Sequence, residues 1–174
     1  MLLIGIQSCL IVCLLFIAFQ DFKQRAISWF LIPLLLIGFV YTAFQNSRYE
    51  IVLKDVAFNL SFIMLQLVLL TVYMSVKNKK IVNIVNTYIG IGDILFFVVI
   101  AAAFSPFNFI VFYLTSTILT LFGFMLYALI KKSTKEIPLA GSMASVMIVL
   151  MAINFCFPNL NFYNDEFFIS CFIN

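Results

Sequence analysis

Histidine is absent from this chain of 174 residues. Without an imidazole, the usual zinc sets and every Ser-His or Cys-His nucleophile are excluded. Cysteine is sparse too: Cys9, Cys13, Cys156 and Cys171 are the only four, and they form no tight pair on the side that carries the basic loops. No metal and no cofactor is therefore expected. Cys9 and Cys13 read as small packing residues, while Cys156 and Cys171 both fall toward a side where a disulfide is permitted. Charge is the other scarcity, with 10% charged residues against 65% hydrophobic ones and a mean hydropathy of +1.18. A soluble domain of this size needs polar cover that these residues do not supply, so the composition specifies an all-α polytopic membrane protein. No soluble domain, internal repeat or low-complexity tract stands out, and residues 1–174 read as one domain with no nucleic-acid partner.

Apolar runs of about 20 residues cross a hydrocarbon core about 30 Å thick as helices. Six are present, at about 2–20, 27–44, 56–76, 89–104, 107–130 and 139–157, followed by a tail, 158–174, whose Phe167-Phe168-Ile169 patch suits the membrane interface. The runs are continuously apolar rather than alternating, which specifies a bundle of six transmembrane helices and not a barrel. The first run lacks a basic leader and an Ala-x-Ala-like end, so it reads as an uncleaved span. Eight Lys and Arg residues (Lys23, Arg25, Lys77, Lys79, Lys80, Lys131, Lys132, Lys135) follow spans one, three and five, whereas only Arg48 and Lys54 stand on the other side. The basic loops are therefore expected in the cytoplasm, with both termini, Asp165 and Glu166 outside. Pro33 is expected to kink span two, and polar residues such as Asn59, Ser61, Gln66, Thr115, Ser116, Thr117 and Thr120 read as interhelical hydrogen-bond partners.

Against this background two acids stand out, Asp21 after the first run and Asp93 in Gly90-Ile91-Gly92-Asp93. An acid at a helix centre in the bilayer costs roughly 2.5 to 3.5 kcal/mol, which marks a functional site. Charge counting puts both at the cytoplasmic face and at similar depth. Two carboxylates brought together can hold one proton between them; the ionised partner then activates a water while the protonated one donates to a scissile carbonyl. Gly90 and Gly92 let a backbone or an extended substrate pass close to Asp93 and permit a break in the helix. Simpler roles compete. Asp93 suits a helix N-terminus, and Asp21 suits an i, i+4 pair with Arg25.

These segments resemble the type IV prepilin peptidase-like (A24) family, the GxGD class of intramembrane aspartic proteases. Asp21-Phe22-Lys23-Gln24-Arg25-Ala26-Ile27 is similar to the family's Asp-x-x-x-Arg-x-Ile pattern, Gly90-Ile91-Gly92-Asp93 to its GxGD, and Ile137-Pro138-Leu139-Ala140-Gly141 to the Pro-containing start of its last span. The resemblance implies a catalytic pair of Asp21 and Asp93 supported by Arg25. It also implies a multi-pass protein of the inner (plasma) membrane that cleaves the leader of a prepilin-like precursor, its protein partner, at the cytoplasmic face. The cytoplasmic Cys-x-x-Cys insert of larger members is missing, so no methyltransferase activity is expected. Ser28 and Trp29 stand where the family continues Pro-Asn, and Leu95 where it often has Lys. These departures motivate a rival expectation, a non-catalytic scaffold or degenerate member of a pilus or secretion assembly.

Overall fold

The computed structural model describes residues 2–81, 83–85, 88–131, 138–156, 162, 163 and 165. In chain order the helices are α1 (Leu2–Gln24), α2 (Leu31–Asn46), α3 (Tyr49–Asn78), α4 (Ile91–Ala101), α5 (Pro106–Lys131) and α6 (Leu139–Cys156). Among the described residues the one β-type feature is an isolated bridge between Val85 and Ile89. Helices α1, α3 and α5 are long and apolar enough to cross a membrane. Their outward faces carry bare apolar side chains, among them Phe16, Phe19, Leu65, Leu69, Phe122 and Met125. Water would penalise that surface, whereas lipid tails match it.

The helix ends differ from the apolar runs in ways that trace to particular contacts. Helix α3 begins at Tyr49, about two turns before its apolar run, and its 30 residues span about 45 Å, more than the hydrocarbon core. Glu50 in its first turn suits the dipole, and the helix stops at a left-handed Lys79 while the Lys80 amide returns to the Ser75 carbonyl, a Schellman-type closure. Helix α4 is only 11 residues, about 16 Å, too short to cross alone. Extended backbone at Gly90 starts it, and its far end is taken up by Asn59. That fully buried side chain of α3 donates to the carbonyls of Ala101 and Phe104, both at 2.9 Å, satisfying groups a helix end leaves open. Asn59→Leu is therefore expected to lower stability by about 1–3 kcal/mol, read as a lower unfolding midpoint in detergent micelles. An unchanged midpoint counts against this role.

Pro33 does not kink α2. It sits in the first turn of that helix, where its missing N–H has no partner to lose. The hydroxyls divide. Thr120 bonds back to the Ser116 carbonyl at 2.7 Å and also meets the Ser142 hydroxyl of α6 at 2.8 Å, as interhelical bonding requires. Ser61, Thr115, Ser116 and Thr117 instead donate to carbonyls three or four residues back in their own helices, because a short hydroxyl reaches that carbonyl first.

The core lies where α1, α2, α4 and α6 meet, filled by Leu14, Ile17, Leu35, Phe96, Met143 and Met147. Ala18 on α1 and Ala140, Gly141 and Ala144 on α6 are small, and these two helices make the most extensive pairing in the molecule. Small residues allow that close backbone approach in a membrane bundle. At the far end of the bundle Asp165 fastens a turn over the start of α5. Its Oδ1 accepts from the Ser105 hydroxyl at 2.5 Å and from the Asn108 amide at 3.4 Å, a position that suits a negative charge. Glu166, the Phe167-Phe168-Ile169 patch and Cys171, hence the Cys156–Cys171 pairing, lie outside the described residues.

Candidate active site

Three chain segments that are far apart in sequence converge at one end of the bundle. The first is the C-terminal turn of α1. Asp21 lies there at 6% exposure, and α1 ends as Arg25 takes a left-handed conformation (φ 54°) with its amide on the Asp21 carbonyl at 3.0 Å. A left-handed non-glycine residue costs about 1–2 kcal/mol, and here it reverses the chain immediately after the acid. The Gln20 side chain then holds the Ser28 amide at 2.9 Å, which closes the loop and leaves Ile27 turned toward α4.

The second segment is Gly90 to Asp93. Ile84 is buried and its carbonyl receives the amides of Tyr88 and Ile89, so the preceding loop is anchored before the helix begins. Asp93 is the third residue of α4, half-buried, and it curls back to the backbone of Gly90, half of a capping box. The helix-terminal role expected for Asp93 is thus present, but it does not exhaust the side chain. Neither glycine has a positive φ, so unusual backbone is not what calls for them. A Cβ on Gly90 would stand 3.3 Å from Asp93 Oδ2, and one on Gly92 would stand 3.4 Å from Ile27 Cδ1. The room beside Gly92 is therefore taken by Ile27, while Gly90 is exposed. Through that contact the isoleucine of the first motif seats the loop after Asp21 on the segment that carries Asp93.

The third segment is the start of α6. Pro138 precedes the helix and accepts the Ser142 amide at 3.2 Å, so the first-turn amides ahead of Ser142 have no partner within the helix. Two of them find the acids. The Ala140 amide donates to Asp93 Oδ1 at 3.0 Å and the Gly141 amide to Asp21 Oδ2 at 2.5 Å. Consecutive amide nitrogens of a helix lie about 3 Å apart and point the same way, so the two carboxylates are side by side. Asp93 interacts electrostatically with Asp21, and Asp21 with Arg25. The positive ends of α4 and α6 both face this pair, which favours negative charge there.

Asp21, Asp93, Gly90, Gly92 and Arg25 are thus gathered at one place. Ala140 and Gly141 join them through backbone groups that carry no side-chain signature. Pro138 was the available signal: a proline opening an apolar helix leaves amides that must find acceptors in lipid, and the acids at that face supply them. Gly141 has a further requirement, because a Cβ there would stand 2.9 Å from Asp21 Oδ2, 3.0 Å from Asp21 Cβ and 3.3 Å from the Ala18 carbonyl oxygen. Among the described residues no group of three or more Cys, Asp or Glu side chains is arranged to hold a metal ion.

Comparison of the chain with protein-family models, with curated proteins and with solved structures finds no match. Its function must therefore be inferred from the residues and their geometry.

Proposed function

We propose that the chain is a membrane-embedded aspartic endopeptidase of the type IV prepilin peptidase-like kind, with Asp21 and Asp93 as its catalytic pair. The observation that carries this reading is the reception of both acids, 72 positions apart in sequence, by the consecutive amides of Ala140 and Gly141. A structural acid at a helix start needs no second acid beside it, and two adjacent carboxylates repel unless they share a proton. Amides only donate, so the oxygens they hold, Asp21 Oδ2 and Asp93 Oδ1, serve as acceptors. The shared proton then belongs on a carboxyl oxygen that none of the Ala140, Gly141 and Gly90 amides holds, such as Asp21 Oδ1. From there the protonated acid donates to the scissile carbonyl while its ionised partner takes a proton from the attacking water, which forms the tetrahedral diol. Collapse of that diol breaks the C–N bond, with the proton passed to the leaving amine, and the pair is restored. Such a pair titrates jointly.

In this reading the six helices form one transmembrane bundle in the plasma membrane with both termini outside. The pair then lies at the cytoplasmic face, where the Lys and Arg excess of the loops belongs. The substrate is a membrane-inserted precursor with a short leader, cut where its apolar helix meets the cytoplasm. The experiment presents membranes containing the full chain with a precursor made of a short basic leader and an apolar helix. Release of the leader, unaffected by chelators and lost when either acid is replaced, is the expected result. Processing that survives replacement of both acids, or a wild-type chain that inserts and processes nothing, favours the scaffold instead.

A further inference from the structure

Beside the carboxylate pair, α1 and α5 both pack on α6, but they are not in extensive contact with each other. The gap between them is a cleft of about 510 Å³, within the roughly 300–1,000 Å³ typical of small-molecule sites. Its two ends differ in chemistry. Lys23 and Arg25, from the end of α1, lie at the level of the carboxylates, and none of the lining residues is acidic. Phe22 stands beside them at the end of α1; deeper along the helices the walls are Leu119, Phe124 and Val146, with the hydroxyls of Thr120, Ser142 and Ser145 each turned to a carbonyl of its own segment. Between Leu119 and Tyr127, the α5 positions that bound it, the cleft runs about 12 Å along the helix. Gly123 stands in that stretch, and a Cβ built on it would meet nothing within 4 Å.

An occupant must therefore be anionic at the interface and apolar below it. The basic leader of a precursor meets like charge at this mouth, which disfavours it by charge alone. A phospholipid carries its phosphate at the depth of Lys23 and Arg25, and cationic side chains near the membrane surface attract anionic lipid at about 1 kcal/mol each. Lys23 already lies along the bilayer-facing side, its ammonium 5.2 Å from the ring centre of Phe19, as a cation held at the interface does.

We propose that the cleft between α1, α5 and α6 holds one anionic phospholipid, its phosphate on Lys23 and Arg25 and an acyl chain along Phe22, Phe124 and Val146. This assignment goes beyond proteolysis; it uses neither acid and shares only Arg25 with the candidate active site. Native mass spectrometry of the full chain in detergent, with equimolar phosphatidylglycerol and phosphatidylcholine of identical acyl chains, tests it. The expected result is one retained lipid per chain, with phosphatidylglycerol favoured at least about fivefold. Lys23→Gln should lower that preference about fivefold. Gly123→Leu adds a side chain at a position lining the cleft where a Cβ meets nothing within 4 Å, and should remove most lipid retention, with helix content unchanged by circular dichroism. Equal retention of the two lipids overturns the proposal, as does unaltered phosphatidylglycerol retention in Gly123→Leu. Displacement of the lipid by inorganic phosphate identifies a headgroup site alone and overturns it too. Loss of precursor processing in Gly123→Leu with lipid retention intact assigns the cleft to the precursor and rejects the lipid.

Discussion

Asp21→Asn and Asp93→Asn are each expected to lower precursor cleavage by at least about 10³-fold, within the range that general acid–base catalysis supplies, while the amount of inserted protein stays the same. The substitution separates chemistry from structure because asparagine keeps a carbonyl oxygen. That oxygen can still accept from the Gly141 amide in place of Asp21 Oδ2, or from the Ala140 amide in place of Asp93 Oδ1. What is lost is the capacity to ionise, and with it both the water-activating base and the shared proton. Removing charge from a lipid-level site is not destabilising in itself, so the unfolding midpoint should hold or rise. In the proposed mechanism the two acids act as one unit, so the double variant should be no slower than either single one. The measurement is leader release per inserted enzyme, compared by gel mobility of precursor and product. Retention of more than about a tenth of wild-type turnover by either variant would remove that acid from the chemistry. A substrate-uptake activity lost in the same variants, with processing never present, would point to transport.

The existence of six helices was legible because apolar runs of this length have few alternatives, and each run overlaps one helix. Their ends were less legible, for physical reasons that differ from helix to helix. The start of α3 carries Glu50, Lys54 and Asp55, which hydropathy reads as loop although charged residues are good helix formers outside lipid. The end of α4 went the other way. Ala101-Ala102-Ala103-Phe104 is apolar and helix-compatible in sequence, yet the backbone turns away after Ala101 as Asn59, some forty positions earlier, takes its carbonyls. No local pattern encodes that contact. Pro33 illustrates a simpler limit, since a proline marks either a kink or a start and the choice follows from where the helix begins.

The candidate site was legible in its side chains and hidden in its backbone. Asp21, Gly90, Gly92 and Asp93 are conspicuous because an acid or a glycine pair in an apolar chain needs an explanation. Ile27 looks like one more aliphatic residue until its contact with Gly92 is seen. Ala140 and Gly141 act through peptide N–H groups, which every residue but proline possesses. Only the proline before them and the shortage of acceptors in lipid distinguish these amides from any others.

Gly141→Ala carries the second large expected effect, a loss of about 10- to 100-fold in turnover, because misplacing a reacting group by about 1 Å can cost 10²-fold. The new methyl group would stand 2.9 Å from Asp21 Oδ2 and 3.0 Å from Asp21 Cβ. Moving only the end of the side chain cannot relieve both contacts, since the second is to an atom bonded to the α1 backbone. The Ala18 carbonyl at 3.3 Å closes the remaining direction, so α1 and α6 must separate by a few tenths of an ångström or Asp21 must rotate off the Gly141 amide. Either response disturbs its alignment with Asp93 on the neighbouring amide. Alanine is the better helix former by about 1 kcal/mol, which offsets part of the packing penalty and keeps the variant folded for assay. Gly123→Ala is the matched control: it makes the same change on α5, where a Cβ meets nothing within 4 Å, and should leave turnover near the wild-type value. Turnover per inserted molecule, with helix content and unfolding midpoint measured on the same samples, separates misalignment from unfolding. Wild-type turnover in Gly141→Ala would show that the close approach of α6 to Asp21 is not needed for the chemistry, and the pair would then have to be aligned by α1 and α4 alone.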